Sequence, residues 1–195
     1  MHGIVRRGHG QSRRRGAIAL RVESRRRPEE AFSLPLRHPQ TASLLVVVGA
    51  VFALAAAWYF QLVVGLVPCP LCLDQRLPYY AAVPIGLLAF AAARGGRSGV
   101  ARVLLGVLCL AMVWNAGLAV YHAGIEWHFW PGPTTCTGTP VLSDDILSSL
   151  RTAKVPRCDE AAWRLFGISM AGWNALIAAG LAVVAFLGAT TGRKA

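Results

Sequence analysis

Charged residues are missing from four long stretches of this chain. No Asp, Glu, Lys or Arg occurs in His38–Leu73, Leu77–Ala93, Val103–Ile125 or Leu165–Gly192, runs of 36, 17, 23 and 28 residues. A helix needs roughly 17–25 apolar residues to cross a hydrocarbon core. The last three runs match that length, and the first is long enough for a helix and a loop. The pattern predicts an all-α fold, a four-transmembrane-helix bundle with helices at about 42–65, 78–94, 103–122 and 167–189. Two loops, 66–77 and 123–166, join helices on one side. Helices bond their own backbones, which a bilayer demands. The second span is short and holds Pro78 and Pro84. Pro78 suits a helix start, where its missing N–H costs nothing. Pro84 is expected to kink the helix. A re-entrant segment is the other reading of this stretch, but a full span closes the topology.

Charge then sets orientation. Residues 1–40 carry ten Arg against three Glu. The short link between spans two and three holds Arg94, Arg97 and Arg102 without an acid, and Arg193 and Lys194 end the chain. Lys and Arg near short loops mark the cytoplasmic side. With four spans these segments share a side, so both N- and C-termini are expected to be cytoplasmic. Residues 1–41 then read as a basic, disordered cytoplasmic tail, 42–190 as the membrane domain and 191–195 as a short tail. The composition agrees: 55% of residues are hydrophobic and the mean hydropathy is +0.48, above the roughly 45–50% apolar usage of soluble domains. The net charge of +11 does not argue for nucleic acid, because seven of those units (10 − 3) come from the tail. That tail lacks aromatic interleaving or a motif, and reads as a topology signal that touches anionic lipid. No apolar core of a secretory signal lies within its first 35 residues.

Four of the five cysteines fall in the two loops: Cys69 and Cys72 as C-x-x-C, then Cys136 and Cys158. Cys109 lies mid-span, where a cysteine behaves as a small hydrophobe. Zinc usually takes two close cysteine pairs, and only one is present here. An oxidising compartment favours disulfides instead. A disulfide between Cys136 and Cys158 would stabilise by roughly 3 kcal/mol in the chain-entropy model, whereas a four-residue ring gives only about 2 kcal/mol before strain. A staple therefore explains the distant pair better than the close one. Short C-x-x-C rings are typical dithiol switches, so the close pair suggests redox exchange, with the distant pair as its candidate partner.

Three stretches together carry a resemblance: C-P-L-C-L-D-Q-R at 69–76, Y-H-A-G-I-E-W-H-F-W-P-G-P-T-T-C at 121–136 and C-D-E-A-A-W-R-L-F-G-I-S-M-A-G-W-N-A at 158–175. They resemble the disulfide bond formation protein B family, DsbB, over about residues 42–190. The resemblance implies a membrane thiol–disulfide oxidoreductase of the bacterial inner membrane with its redox cysteines on the periplasmic side. It implies a DsbA-like periplasmic oxidase as electron donor, a quinone (ubiquinone or menaquinone) as acceptor, and no metal. By motif position, Cys136–Cys158 is the disulfide that meets the oxidase, through Cys136. Cys69–Cys72 is the pair beside the quinone, with Cys72 at its ring and Arg76 as the quinone-site arginine. Arg76 lies four residues beyond Cys72, one helical turn if a helix starts there. His122 and Glu126, also four apart, are candidates for carrying protons to a reduced quinone. Trp127 and Trp130 read as an interfacial belt, and Pro131, Gly132 and Pro133 end the helix near Cys136. Asn174, alone among apolar residues in the last span, is expected to bond a neighbouring helix. The Arg-rich N-terminus is longer than the family pattern.

Two rivals stand beside this reading. A vitamin K epoxide reductase-like enzyme also uses four helices, loop cysteines and C-x-x-C, but there the C-x-x-C follows the loop cysteines. A non-enzymatic, disulfide-stapled membrane scaffold would need its cysteines only for stability.

Overall fold

The protein, described by a computed structural model, is defined over residues 38–137 and 157–190. The basic tail, most of the link between Cys136 and Cys158, and residues 191–195 lie outside the described residues. Four long helices form the body: α1 (Pro39–Leu62), α3 (Leu77–Arg94), α4 (Ser98–Glu126) and α6 (Met170–Thr190). Each is long and apolar enough to cross a membrane, the second as part of the stretch Pro70–Arg94. Two short turns serve the cysteines, α2 (Pro70–Asp74) and α5 (Thr134–Thr137). A two-stranded antiparallel hairpin, β1 (Arg164–Leu165) and β2 (Ile168–Ser169), leads into α6. Phe166 and Gly167 turn it with φ of 53° and 79°, the doubly positive pattern of a type I′ turn.

The helix ends follow local chemistry. Pro39 opens α1 and Pro70 opens α2, positions where no N–H is needed. Pro84 sits inside α3, yet the helix runs from Leu77 to Arg94. In α4, 29 residues span about 43 Å at 1.5 Å each. That exceeds a hydrocarbon core of about 30 Å. It is longer than the charge pattern predicts because the helix runs on past Arg102 at one end and through Glu126 at the other, so both charged residues are helical rather than stops. α1 ends at Leu62 rather than near residue 65; positive φ at Gly65 marks the turn beyond it.

The helices close a ring in which α4 lies along α6, α6 along α1, α1 along α3 and α3 along α4. The buried core draws on every helix, with Val46 from α1, Ala82 from α3, Leu105 and Met112 from α4 and Ala185 from α6. Side chains such as Leu44, Phe52, Leu110, Trp114 and Phe186 face outward, a lipid-compatible exterior. Lipid tails are as apolar as leucine, so close packing of small residues holds such bundles together. Gly188 of α6 sits against Ala42 and Leu105, and a Cβ there would collide with Ala42 and crowd Leu105. Gly188→Leu is therefore expected to destabilise the bundle by about 1–3 kcal/mol, read as a lower midpoint of unfolding in mixed detergent micelles. An unchanged midpoint would show that these helices are not in contact there.

Candidate redox site

The sulfur chemistry collects at one end of the ring. Pro70 starts α2 directly after Cys69, and the Cys69 sulfur caps that turn by accepting from the Cys72 N–H at 3.2 Å. Capping folds the C-x-x-C ring so that the two sulfurs lie 2.6 Å apart. The second pair, Cys136 and Cys158, is joined as a disulfide with Cα atoms 5.4 Å apart. The Cys158 N–H also donates to the Cys136 carbonyl at 3.3 Å. Cys69, Cys136 and Cys158 are buried together with Leu71 and Ile125, and Cys72 packs at the edge of the cluster. One apolar cluster thus gathers four cysteines from two loops. Hydrogen bonding with Cys72, then burial, pushes the Cys69 thiol up.

Beside the cluster lies a cavity of about 430 Å³, lined mainly by apolar side chains of α1 and α6. Its polar groups are Cys72, Gln75, Arg76, Tyr79, His122 and Asn174. Arg76 Nη1 donates to Gln61 Oε1 at 2.7 Å, and its guanidinium stands 5.6 Å from the centre of the Trp58 ring. The expectation that it lies one turn from Cys72 is refined: Arg76 ends the link between α2 and α3 and is held toward α1. A planar guanidinium so held presents a fixed fork of donors.

His122 is buried at the top of α4. Its Nε2 lies 3.7 Å from the Cys69 sulfur and its Nδ1 2.9 Å from Gln75 Nε2. Glu126 is buried one turn on, but its Oε1 is 4.0 Å from His122 Nε2, outside hydrogen-bond reach. The histidine thus turns to the cysteine rather than to the glutamate. Asn174 Nδ2 donates to Gln75 Oε1 at 2.7 Å and Asn174 Oδ1 accepts from Tyr79 at 2.6 Å. This is the interhelical role expected of Asn174, and it crosses the ring from α6 to α3. Sequence reasoning overlooked Gln75 and Tyr79. Their signal was spacing: 72, 75, 76 and 79 share one helical face.

Cys69, His122 and Cys158 bring ligand-type atoms within 4.8 Å of one another. With Cys158 bonded to Cys136 its sulfur is not a free ligand, which leaves Cys69 and His122 of these three among the described residues. Cys109 packs at the edge of the α-helical core, away from the cluster. Trp127 is exposed at the end of α4, while Trp130 stacks on Tyr121 at 6.0 Å. Arg157 and Asp159 pair beside Cys158 at 2.6 Å, and the guanidinium holds the Asp159 carboxyl below its ordinary range. Because the pair is exposed, it adds little stability.

Four apolar helices and two cysteine pairs gathered at one end define a multi-pass membrane protein equipped for thiol–disulfide chemistry. A family model described as disulfide bond formation protein DsbB matches residues 39–188, and the chain belongs to that family. It is similar to disulfide bond formation protein B of Verminephrobacter eiseniae, 31% identical over 161 residues that cover 77% of this chain and 87% of the relative. The protein of that name from Xanthomonas euvesicatoria is 32% identical over 148 residues, covering 72% and 84%. That from Stutzerimonas stutzeri is 27% identical over 157 residues, covering 76% and 93%. The protein is accordingly a membrane disulfide oxidoreductase of the disulfide-bond formation class.

Proposed function

We propose that the protein reoxidises a DsbA-like dithiol oxidase and passes the electrons to a membrane quinone held in the cavity beside Cys72. The observation that carries this reading is the packing of both cysteine pairs into one cluster whose edge, at Cys72, opens on an apolar cavity within the bilayer-spanning bundle. The arrangement orders the transfers. A thiolate of the reduced oxidase attacks Cys136, and Cys158 leaves. Cys158, near Cys69, attacks that sulfur and releases Cys72 as a thiolate beside the cavity. The remaining oxidase thiolate resolves the mixed disulfide and frees Cys136. Cys136 attacks Cys158 and restores that disulfide, leaving the reduced pair Cys69–Cys72. Its two electrons and two protons convert quinone to quinol. A DsbA-like oxidase is a strong oxidant, near −120 mV, so its reoxidation needs a stronger sink. A quinone meets that need and is soluble only in the bilayer.

Arg76 fits the quinone: its guanidinium lines the cavity, and a donor to a quinone carbonyl stabilises the charge that builds there on reduction. The charge pattern supports placing both pairs on the periplasmic side of the inner membrane with both termini in the cytoplasm. The test is quinone absorbance during turnover of purified protein with reduced oxidase. Catalytic loss of the quinone band is expected. Arg76→Gln should raise the KM for quinone about 10–100-fold, the value of a charge-assisted hydrogen bond, with a smaller change in the KM for the oxidase. Oxidase left reduced in the presence of both ubiquinone and menaquinone analogues would sink the proposal.

A further inference from the structure

The four hydrogen-bonding groups behind Cys69 form one line with one direction. Tyr79 donates its hydroxyl to Asn174 Oδ1, Asn174 Nδ2 donates to Gln75 Oε1, and Gln75 Nε2 meets His122 Nδ1. Nδ1 is therefore the acceptor, and the proton of a neutral imidazole sits on Nε2, facing the Cys69 sulfur at 3.7 Å. In this polarity the ring is a donor to Cys69. It cannot also carry a proton on Nδ1, because that N–H would point at the Gln75 amide nitrogen. A mismatched donor buried there would be left without a partner, which is unfavourable.

The line can also run backwards. Amide oxygen and nitrogen occupy nearly equivalent positions, and a hydroxyl both donates and accepts. If the Gln75 and Asn174 amides turn over, Gln75 Oε1 faces Nδ1, Gln75 Nε2 donates to Asn174 Oδ1 and Asn174 Nδ2 donates to the Tyr79 oxygen, whose hydroxyl proton turns away from Asn174. The reversed line accepts an Nδ1–H, so Nε2 is free to take a proton while the ring becomes imidazolium. Both polarities have a use in the cycle just described, on which this inference rests. When Cys136 displaces Cys69 from Cys158, Cys69 leaves as a thiolate and needs a donor. When Cys69 closes the disulfide with Cys72, its thiol proton must go elsewhere, and the reduced quinone needs two.

We propose that Gln75, Asn174 and Tyr79 are positioning residues whose reversible hydrogen-bond line switches His122 from donor at Cys69 to acceptor of the Cys69 proton, which His122 then delivers to the reduced quinone in the cavity. His122 is placed for both contacts, since it reaches Cys69 and lines the cavity. The step balances. Oxidation of the Cys69–Cys72 dithiol releases two electrons and two protons, and reduction of the quinone consumes both. His122 carries the one that starts on Cys69.

Two replacements of Gln75 separate this role from a structural one. Gln75→Leu removes both polarities. Gln75→Glu abolishes the amide donor to Nδ1 but supplies a permanent acceptor for Nδ1–H. In single-turnover stopped-flow, fully reduced protein in detergent is mixed with a short-chain ubiquinone, and quinone absorbance is followed in H₂O and D₂O. Gln75→Leu is expected to slow quinone reduction at least about tenfold, the scale of a lost supporting contact, with a larger solvent isotope effect. Its Cys136–Cys158 disulfide should still be reduced by dithiothreitol at the wild-type rate. Gln75→Glu is expected to reduce quinone within about threefold of wild type. The inference is overturned if Gln75→Leu reduces quinone at the wild-type rate and isotope effect, or if Gln75→Glu is as slow as Gln75→Leu. Failure of the wild-type protein to reduce quinone would instead strike at the proposed function itself.

Discussion

Cys158→Ser is expected to leave Cys136 as a lone thiol that forms a mixed disulfide with the oxidised dithiol partner. In the native protein Cys136 and Cys158 are bonded, and both sulfurs are packed in the cluster that contains Cys69. The serine hydroxyl cannot carry the electrons on to Cys69, so the chain of exchanges is cut between the two pairs. Steady-state oxidation of the partner should fall at least about 1,000-fold, as when a nucleophile is deleted. The check is a non-reducing gel with acid-quenched samples: one adduct at the summed mass, dissolved by reductant and absent from the Cys136→Ser, Cys158→Ser double variant. An adduct that survives removal of Cys136 would mean that the partner enters at another sulfur, and the order of transfers would have to be redrawn.

The second large effect lies at the other pair. Cys72→Ala should abolish quinone reduction, because Cys72 is the cysteine that lines the cavity. The Cys136–Cys158 disulfide remains, so the variant should still oxidise about one equivalent of partner dithiol and then stop. A burst without turnover is a sharper outcome than simple inactivity, since a misfolded protein would give neither. Cys109→Ala provides the contrast. Cys109 packs beside the helical core and takes no part in the cluster, so turnover should stay within about twofold. Steady quinone reduction by Cys72→Ala would show that electrons leave from a different sulfur.

The distribution of charge was enough to count the helices, because a bilayer penalises an unpaired charge so strongly that a membrane span must be built from a long uncharged run. Helix ends were less legible. The boundary of α4 was read short because Arg102 and Glu126 looked like stops, whereas both lie within the helix. The cysteines were legible as two pairs through motif and order. Their meeting in one cluster was not, since nothing in a 22-residue separation says which sulfur of one loop approaches which sulfur of the other.

The polar groups show the same division. Arg76, His122 and Glu126 drew notice because charge or titration inside an apolar run is conspicuous. Gln75 and Tyr79 did not, being uncharged residues common at interfaces. The fold sorted them by contact: His122 turned toward Cys69 and Gln75, Glu126 stayed 4.0 Å from His122, and Arg76 was tied to Gln61. The amino-acid sequence by itself determined that this is a four-helix membrane protein with two cysteine pairs of the DsbB kind, because helix length, solvent and motif spacing are local properties. Only the tertiary structure decided that α2, α3, α4 and α6 bring Gln75, Tyr79, His122 and Asn174 into one line behind Cys69. Hydrogen bonds across a bundle depend on how its helices rotate and pack, and side chains up to 99 residues apart meet only once that packing is complete.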